Sequence, residues 1–275
     1  MRQIGLHLRL TDTLHALAQK AIDLRMSVFQ CFLLHQQTQK LIAPTAAHIR
    51  SFALLAEQFE QLFVHASYWT NLASIKNISM RAIEREMALS KRLGFTHMVV
   101  HPGTAKGAQS KQEGIDALVR RLNRLMKDEE DIQLVLENTA HGKMAIGSDI
   151  ADFHAILQKL DRPDRVSFCI DTVHAHVYGY PLETADEQEQ FFDQLDRMIG
   201  VERIALLHLN NTHQECGSLL DRHAMLDQGV LSLDALRRFS MHPHMANVPI
   251  IMELPHAPKA LQQEQMHIVR SWHHT

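Results

Sequence analysis

Val166-Ser167-Phe168-Cys169-Ile170-Asp171-Thr172-Val173-His174 is the stretch on which the reading of this chain turns. Its first five residues alternate in bulk and read as a strand. Where the strand runs out, a carboxylate and an imidazole stand three residues apart. Aspartate and neutral histidine are both good ligands for zinc or a similar divalent ion. A bend after Asp171 would let the two side chains reach different metals. For this segment alone an N-cap aspartate beside a surface histidine is an equally good account. Recurrence weights the choice, because other apolar strands of the chain also end in His, Asp or Glu.

Working outward, the same pattern gives eight strands. They are expected at 4–8, 27–32, 62–65, 97–101, 132–137, 166–170, 204–209 and 249–253. Between them lie helical patterns. Leu14, Leu17, Ala18, Ala21 and Ile22 share one face, as do Ile115, Leu118, Val119, Leu122 and Met126. Pro44 and Thr45 open a helix, Gly94 stops the one over 80–93, and Ser148 and Ser232 are read as N-caps. Near-continuous apolar strands alternating with helices imply a parallel sheet. Eight such units imply an α/β fold of one domain over 1–275, a closed (β/α)8 TIM barrel whose strand ends converge on one mouth.

Composition is consistent with this. The chain has 275 residues, 45% of them hydrophobic, enough for one large core. Its formal charge of -3 provides no general basic field, so a nucleic-acid partner needs a local patch. Cys31, Cys169 and Cys216 form no CxxC and no disulfide framework, which suits a reducing, cytoplasmic setting. Neither a signal peptide nor an apolar run of membrane length is read in the sequence. Histidine is the outlier at 20 residues. Chance His motifs are therefore common, and carboxylates at fixed places are the stricter test.

The third strand ends in His65, the fourth in His101, and the fifth in Glu137. The sixth ends in Asp171 with His174 beyond it. The seventh ends in His208, with Asp221-Arg222-His223 in the loop that follows, and the eighth ends in Glu253. At one barrel mouth these five imidazoles and four carboxylates would form an untenable charge cluster without cations. Tyr68 lies just past His65, and His7 ends the first strand.

With these residues in view the chain resembles endonuclease IV, the zinc-dependent apurinic/apyrimidinic endonucleases of the xylose-isomerase-like barrels. The resemblance spans nearly the whole chain. It rests on His65-Ala66-Ser67-Tyr68 with Asn71-Leu72-Ala73, on His101-Pro102-Gly103, and on Glu137-Asn138-Thr139-Ala140. It continues in Cys169-Ile170-Asp171-Thr172-Val173-His174-Ala175 with Gly179-Tyr180, His208-Leu209-Asn210, Asp221-Arg222-His223 and Glu253-Leu254-Pro255.

The resemblance implies three zinc ions, with manganese or iron as alternatives on such N/O sites. His65 and His101 would hold the first, and Glu137 would bridge it to the second. Asp171, His208 and Glu253 would complete the second. His174, Asp221 and His223 would hold the third. A hydroxide between two metals would hydrolyse the phosphodiester 5′ to an abasic site and leave a 3′-hydroxyl. Asn138 would orient Glu137, and His7 would touch a ligand or a phosphate. Tyr68, Trp69, Gln37 and Arg222 would contact DNA. A monomer with no obligatory protein partner and no membrane association is implied. Several positions depart from the family: Gln37 stands for a wedge arginine, His213 and Leu219 for basic residues, Ser67 for a proline, His141 for a glycine and Val173 for a cysteine. A weaker, less salt-sensitive grip on duplex DNA follows. Two other readings use the same barrel, a sugar isomerase or epimerase and a metal-binding homologue without catalysis.

Overall fold

Eight short runs rich in Val, Ile, Leu and Phe supply the strands of the computed structural model, which describes residues 2–273 except 12, 36, 37, 39, 68, 69, 77–79 and 129–131. They are β1 (Ile4–Leu8), β2 (Val28–Cys31), β3 (Gln61–His65), β4 (His97–Val100), β5 (Gln133–Glu137), β6 (Val166–Asp171), β7 (Ile204–His208) and β8 (Ile250–Met252). Each pairs in parallel with the next, and β1 pairs with β8, so the sheet closes on itself. A parallel pair needs a long crossover, which the helices provide. They are α1 (Leu14–Asp23), α2 (Ala46–Ala56), α3 (Arg81–Arg92), α4 (Lys111–Asp128), α5 (Ile150–Leu157), α6 (Thr172–Tyr178), α7 (Ala185–Ile199), α8 (Leu233–Met241) and α9 (Lys259–Trp272). Among the described residues no helix is long and apolar enough to cross a membrane.

Helix starts follow local chemistry. Thr13, Thr45, Thr184 and Ser232 each accept a backbone N–H with the side chain, and Thr184 forms a full capping box with Glu187. One expected cap is corrected. The residue that caps α5 is Asp149, whose carboxylate accepts from Ala151 N at 2.9 Å. The Ser148 hydroxyl is occupied elsewhere, donating to the His141 carbonyl and lying 2.7 Å from Thr139 Oγ1.

Two small antiparallel pairs interrupt the βα alternation, and the sequence reading contains neither. Leu34–His35 pairs with Lys40–Leu41 after β2, and Asn211–Thr212 pairs with His223–Ala224 after β7. The second pair carries His223 back toward the strand ends.

The barrel interior is layered. Val28, Phe63, Val99, Val135, Cys169, Leu206 and Ile251 form one buried cluster, one residue from each of β2 to β8. Side chains two apart on a strand share a face. Two residues beyond that apolar layer stand Gln30, His65, His101, Glu137, Asp171, His208 and Glu253. On β1 the corresponding pair is Gly5 and His7. A polar ring thus sits directly above an apolar plug. An irregularity in the β6–β7 register after Phe168 aligns Asp171 with His208 within that ring.

Gly5 shows how tightly the plug is closed. A Cβ there would lie 1.9 Å from the Val28 carbonyl oxygen and 2.8 Å from its carbonyl carbon. The obstacle is backbone, which cannot rotate away. Gly5→Ala is expected to destabilise the barrel by about 1–3 kcal/mol or more, read as a lower midpoint in urea unfolding.

Candidate metal centre

Glu137 lies at the centre of the polar ring with no exposed surface. Its Oε2 is 2.9 Å from His65 Nε2 and 2.9 Å from His101 Nε2. Its Oε1 is 2.8 Å from His208 Nδ1. The same His208 nitrogen is 3.8 Å from Asp171 Oδ2 and 3.9 Å from Glu253 Oε1. Farther out, Asp221 places Oδ2 at 3.2 Å from His174 Nε2 and Oδ1 at 3.2 Å from His223 Nε2. His223 Nε2 is also 3.9 Å from Asp171 Oδ2.

Ligand atoms therefore converge in sets. Those of His65, His101 and Glu137, those of Glu137, Asp171, His208 and Glu253, and those of Asp171, His174 and His223 each lie within 4.8 Å of one another. The structure brings all nine expected ligands to one mouth. It differs from the expected partition at the third set, where Asp171 stands with the two histidines while Asp221 touches both imidazoles from outside. Cys169 also comes within ligand distance of Glu137 and His208. Burial and then the neighbouring Glu137 carboxylate hold its thiol well above the ordinary range, so it stays protonated within the apolar plug.

Asp171 serves two elements. Its Oδ1 accepts the N–H groups of Val173 and His174 at 2.7 and 2.9 Å and caps α6. Its Oδ2 faces the cluster and accepts from Asn210 Nδ2 at 2.6 Å. The N-cap reading of the opening stretch holds for one oxygen of Asp171, the other is left facing the cluster, and His174 is buried rather than at the surface.

The surrounding amides correct one expectation. Asn138 does not bond Glu137. Its side chain clamps the Asp171 backbone, accepting from the N–H at 2.6 Å and donating to the carbonyl at 3.1 Å. Its own carbonyl lies 2.8 Å from His174 Nδ1, which turns Nε2 of that ring toward the mouth and Asp221. His7, at the end of β1, contacts Glu253 Oε1 at 3.1 Å. Two orienting residues went unrecognised in the sequence. Asn210 holds Asp171 through Nδ2 and the Glu253 N–H through Oδ1 at 2.7 Å. Gln30, fully buried on β2, contacts His7, Glu253 and His208.

The remaining sequence candidates are dispersed. Arg222 is exposed, between Asp221 and His223, and its carbonyl accepts from the Thr212 hydroxyl at 2.6 Å. Gln37, Tyr68 and Trp69 lie outside the described residues. The mouth opens into a cavity of about 1000 Å³ whose walls include Arg9, Phe32, His35, His65, His101 and Asp221.

The donor set fits divalent cations. Buried charges are paired or coordinate metals, and here carboxylates and imidazoles alternate around shared points. His223 Nε2 is buried and makes no hydrogen bond, although Asp221 is close by. With Nδ1 facing the Glu253 carbonyl at 2.9 Å, Nε2 is the nitrogen left for the cluster. Without cations, protons take their place. Burial alone would lower the imidazole of His208, but Glu137 and Glu253 outweigh it and push it up to about 9. His223, opposed by burial and raised by Asp221 and Asp171, reaches about 9 as well. His174 is carried well above its ordinary value, against its burial, by Asp171 and Asp221. In return Glu137 is held well below the carboxylate range, because His208 and His101 overcome its burial.

The sign of the pH dependence follows. Groups raised in the folded state stabilise it fully below their unfolded value near 6.5, and that stabilisation is lost as pH rises through about 9. Metal-free protein is therefore expected to lose thermal stability between about pH 7 and 9. Zinc-loaded protein, in which cations replace those protons, is expected to hold its melting temperature across the same window. Zinc uptake at pH 8 should release protons, measurable as a buffer-dependent heat in calorimetry.

Comparison with known proteins places this geometry. The xylose isomerase-like TIM barrel family matches residues 26–272. A probable endonuclease 4 of Halorhodospira halophila is 33% identical over 272 residues, 96% of this chain and 92% of the relative. A probable endonuclease 4 of Methanoculleus marisnigri is 30% identical over 92% of each chain. The crystal structure of endonuclease IV from Thermus thermophilus superposes with a TM-score of 0.84 at 26% identity, over 98% of both chains. With nine ligand-type residues gathered at the mouth of a barrel so closely matched in sequence and shape, the chain belongs to the endonuclease IV family of xylose isomerase-like TIM barrels.

Proposed function

We propose that this protein is an apurinic/apyrimidinic endonuclease, hydrolysing the DNA phosphodiester 5′ to an abasic site to leave a 3′-hydroxyl. One observation carries the reading: three ligand sets fused through shared carboxylates, Glu137 joining the first two and Asp171 the second and third. His65, His101 and Glu137 would hold one ion. Glu137, Asp171, His208 and Glu253 would hold a second, and His174, His223 and Asp221 a third, with Asp171 shared between the two. Zinc is the proposed metal, as imidazole and carboxylate ligands suit it. Bound there, divalent ions would supply water activation near neutral pH and neutralise charge on a phosphate in in-line displacement.

The chain's own residues set the stage for that chemistry. Glu137, with no exposed surface, is a rigid bridge, because His65, His101 and His208 fix both its oxygens. The apolar plug beneath the ring keeps bulk water from reaching the centre from below. The cavity above admits an extruded nucleotide, and its wall includes one guanidinium, Arg9, beside His35 and Thr38. We assign DNA contact to Arg222 and, on sequence grounds, to Gln37, Tyr68 and Trp69. A cytoplasmic monomer is part of the same reading, and the three unpaired cysteines suit it.

The sugar isomerase reading needs a carboxylate or lysine free for proton transfer. Among the described residues lining the cavity there is no lysine, and Asp221 and Glu253 both stand within the proposed ligand shell.

Incubation of zinc-loaded protein with a duplex carrying one abasic-site analogue tests the proposal. The expected product is a single nick whose 3′ end primes a polymerase, with activity abolished by chelator. Glu137→Ala should reduce kcat/KM by about 10²–10³-fold or more, since it removes preorganised charge from the reacting centre. Metal-loaded protein that leaves the duplex intact but epimerises sugars would overturn the assignment.

A further inference from the structure

Six of the eight ring positions belong to the converging ligand sets. The other two are His7 on β1 and Gln30 on β2. Gln30 is a neutral amide with no exposed surface, set among charged groups. Its Nε2 lies 2.7 Å from Glu253 Oε1 and 2.8 Å from His7 Nδ1. Its Oε1 lies 3.0 Å from His208 Nε2.

The orientation of this amide is decided by chemistry. A carboxylate oxygen only accepts, so the NH2 end must face Glu253. Turned over, the amide would set its own oxygen against that carboxylate at hydrogen-bond distance. With the NH2 end fixed, the amide oxygen faces His208 Nε2 and requires an N–H there. His208 Nε2 therefore keeps its proton, and Nδ1 is the nitrogen whose lone pair serves the cluster. That nitrogen is the one 2.8 Å from Glu137, with Asp171 at 3.8 Å and Glu253 at 3.9 Å.

We propose that Gln30 is a positioning residue of the metal centre, its single amide holding Glu253 and the Nε2 edge of His208 so that both ligands, His208 through Nδ1, meet the middle ion. The proposal rests on the metal-centre reading given above. Partners of this kind fix ring tautomer and ligand orientation, and their loss typically costs about 10–100-fold in metal affinity. Asp171 has its own supports in Asn210 and the α6 N-terminus. Glu253 and His208 share this one, with His7 contributing to Glu253 alone.

The test compares wild type with Gln30→Met, which keeps the length of the side chain and removes both hydrogen-bonding ends. Both proteins are stripped of metal, titrated with cobalt(II) and then zinc against a chelator, and checked for equal folding by thermal melting. In the variant one ion per chain is expected to bind about 10–100-fold more weakly, with the others unchanged. Activity is not needed for this readout. A second measurement, nitrogen-15 NMR of histidine-labelled zinc-loaded wild type, should show His208 with Nε2–H and a metal-shifted Nδ1. It decides the question even if the variant does not fold. Unchanged affinity for every ion in the variant, or a wild-type His208 bound through Nε2, overturns the proposal while leaving the metal centre intact. A wild type that takes up no transition metal overturns both.

Discussion

A carboxylate shut away from water is tolerable only beside positive charge, and Glu137 imposes that condition on everything around it. The effective penalty for an unpaired buried ion is several kcal/mol. Four imidazoles approach its two oxygens, three of them within 2.9 Å and His174 at 3.4 Å, and rings among them are held in turn by another polar group. His65 Nδ1 lies 2.7 Å from the Ala66 carbonyl, and His208 Nε2 meets Gln30. Charge compensation thus spreads outward in layers until it reaches backbone carbonyls and neutral amides. Protons satisfy the centre only at the lower end of the pH range, and cations would take over where those protons are lost.

The position of this cluster in the fold is a matter of spacing. One apolar residue per strand fills the plug, and the residue two farther along is carried to the mouth on the same face. That is why the ring residues are legible in the sequence: His65, His101, Glu137, Asp171, His208 and Glu253 each follow an apolar run at the point where a parallel strand ends. His174, Asp221 and His223 lie beyond the strand ends, so strand spacing alone does not place them, and their grouping as one set is what the resemblance implies. Gln30 is not legible in the sequence because it sits inside an apolar run, where a neutral amide carries no motif. Asn138 takes a different partner from the one its position suggests, since adjacency to Glu137 in sequence points its side chain across to the next strand and onto the Asp171 backbone. Ser148 and Asp149 are both competent caps, and the serine was already engaged by Thr139 and His141. The two small antiparallel pairs have strands of two residues, too short for periodicity to register.

Asp171 illustrates how little separates structural from chemical duty. Capping α6 fixes one of its oxygens by two backbone N–H groups, and the helix N-terminus favours its negative charge. The other oxygen is then aimed by default. A group whose orientation is set by the start of a helix adds no side-chain freedom that binding must freeze, so it enters the centre already ordered.

The unequal division of the mouth has a consequence for how such a barrel can diverge. β3 to β8 carry the ring residues of the converging sets, while β1 and β2 furnish only His7 and Gln30, and the segments leaving those two strands form the cavity wall at Arg9, Leu10, Thr11, Leu34, His35 and Thr38. Those wall residues lie outside every ligand set. Mutation can therefore rewrite that rim, in length as well as in charge, without disturbing an atom of those sets. One sector of the molecule is free to explore new surfaces while the other is held to its composition by electrostatics, and a lineage can exchange partners long before it could exchange its chemistry.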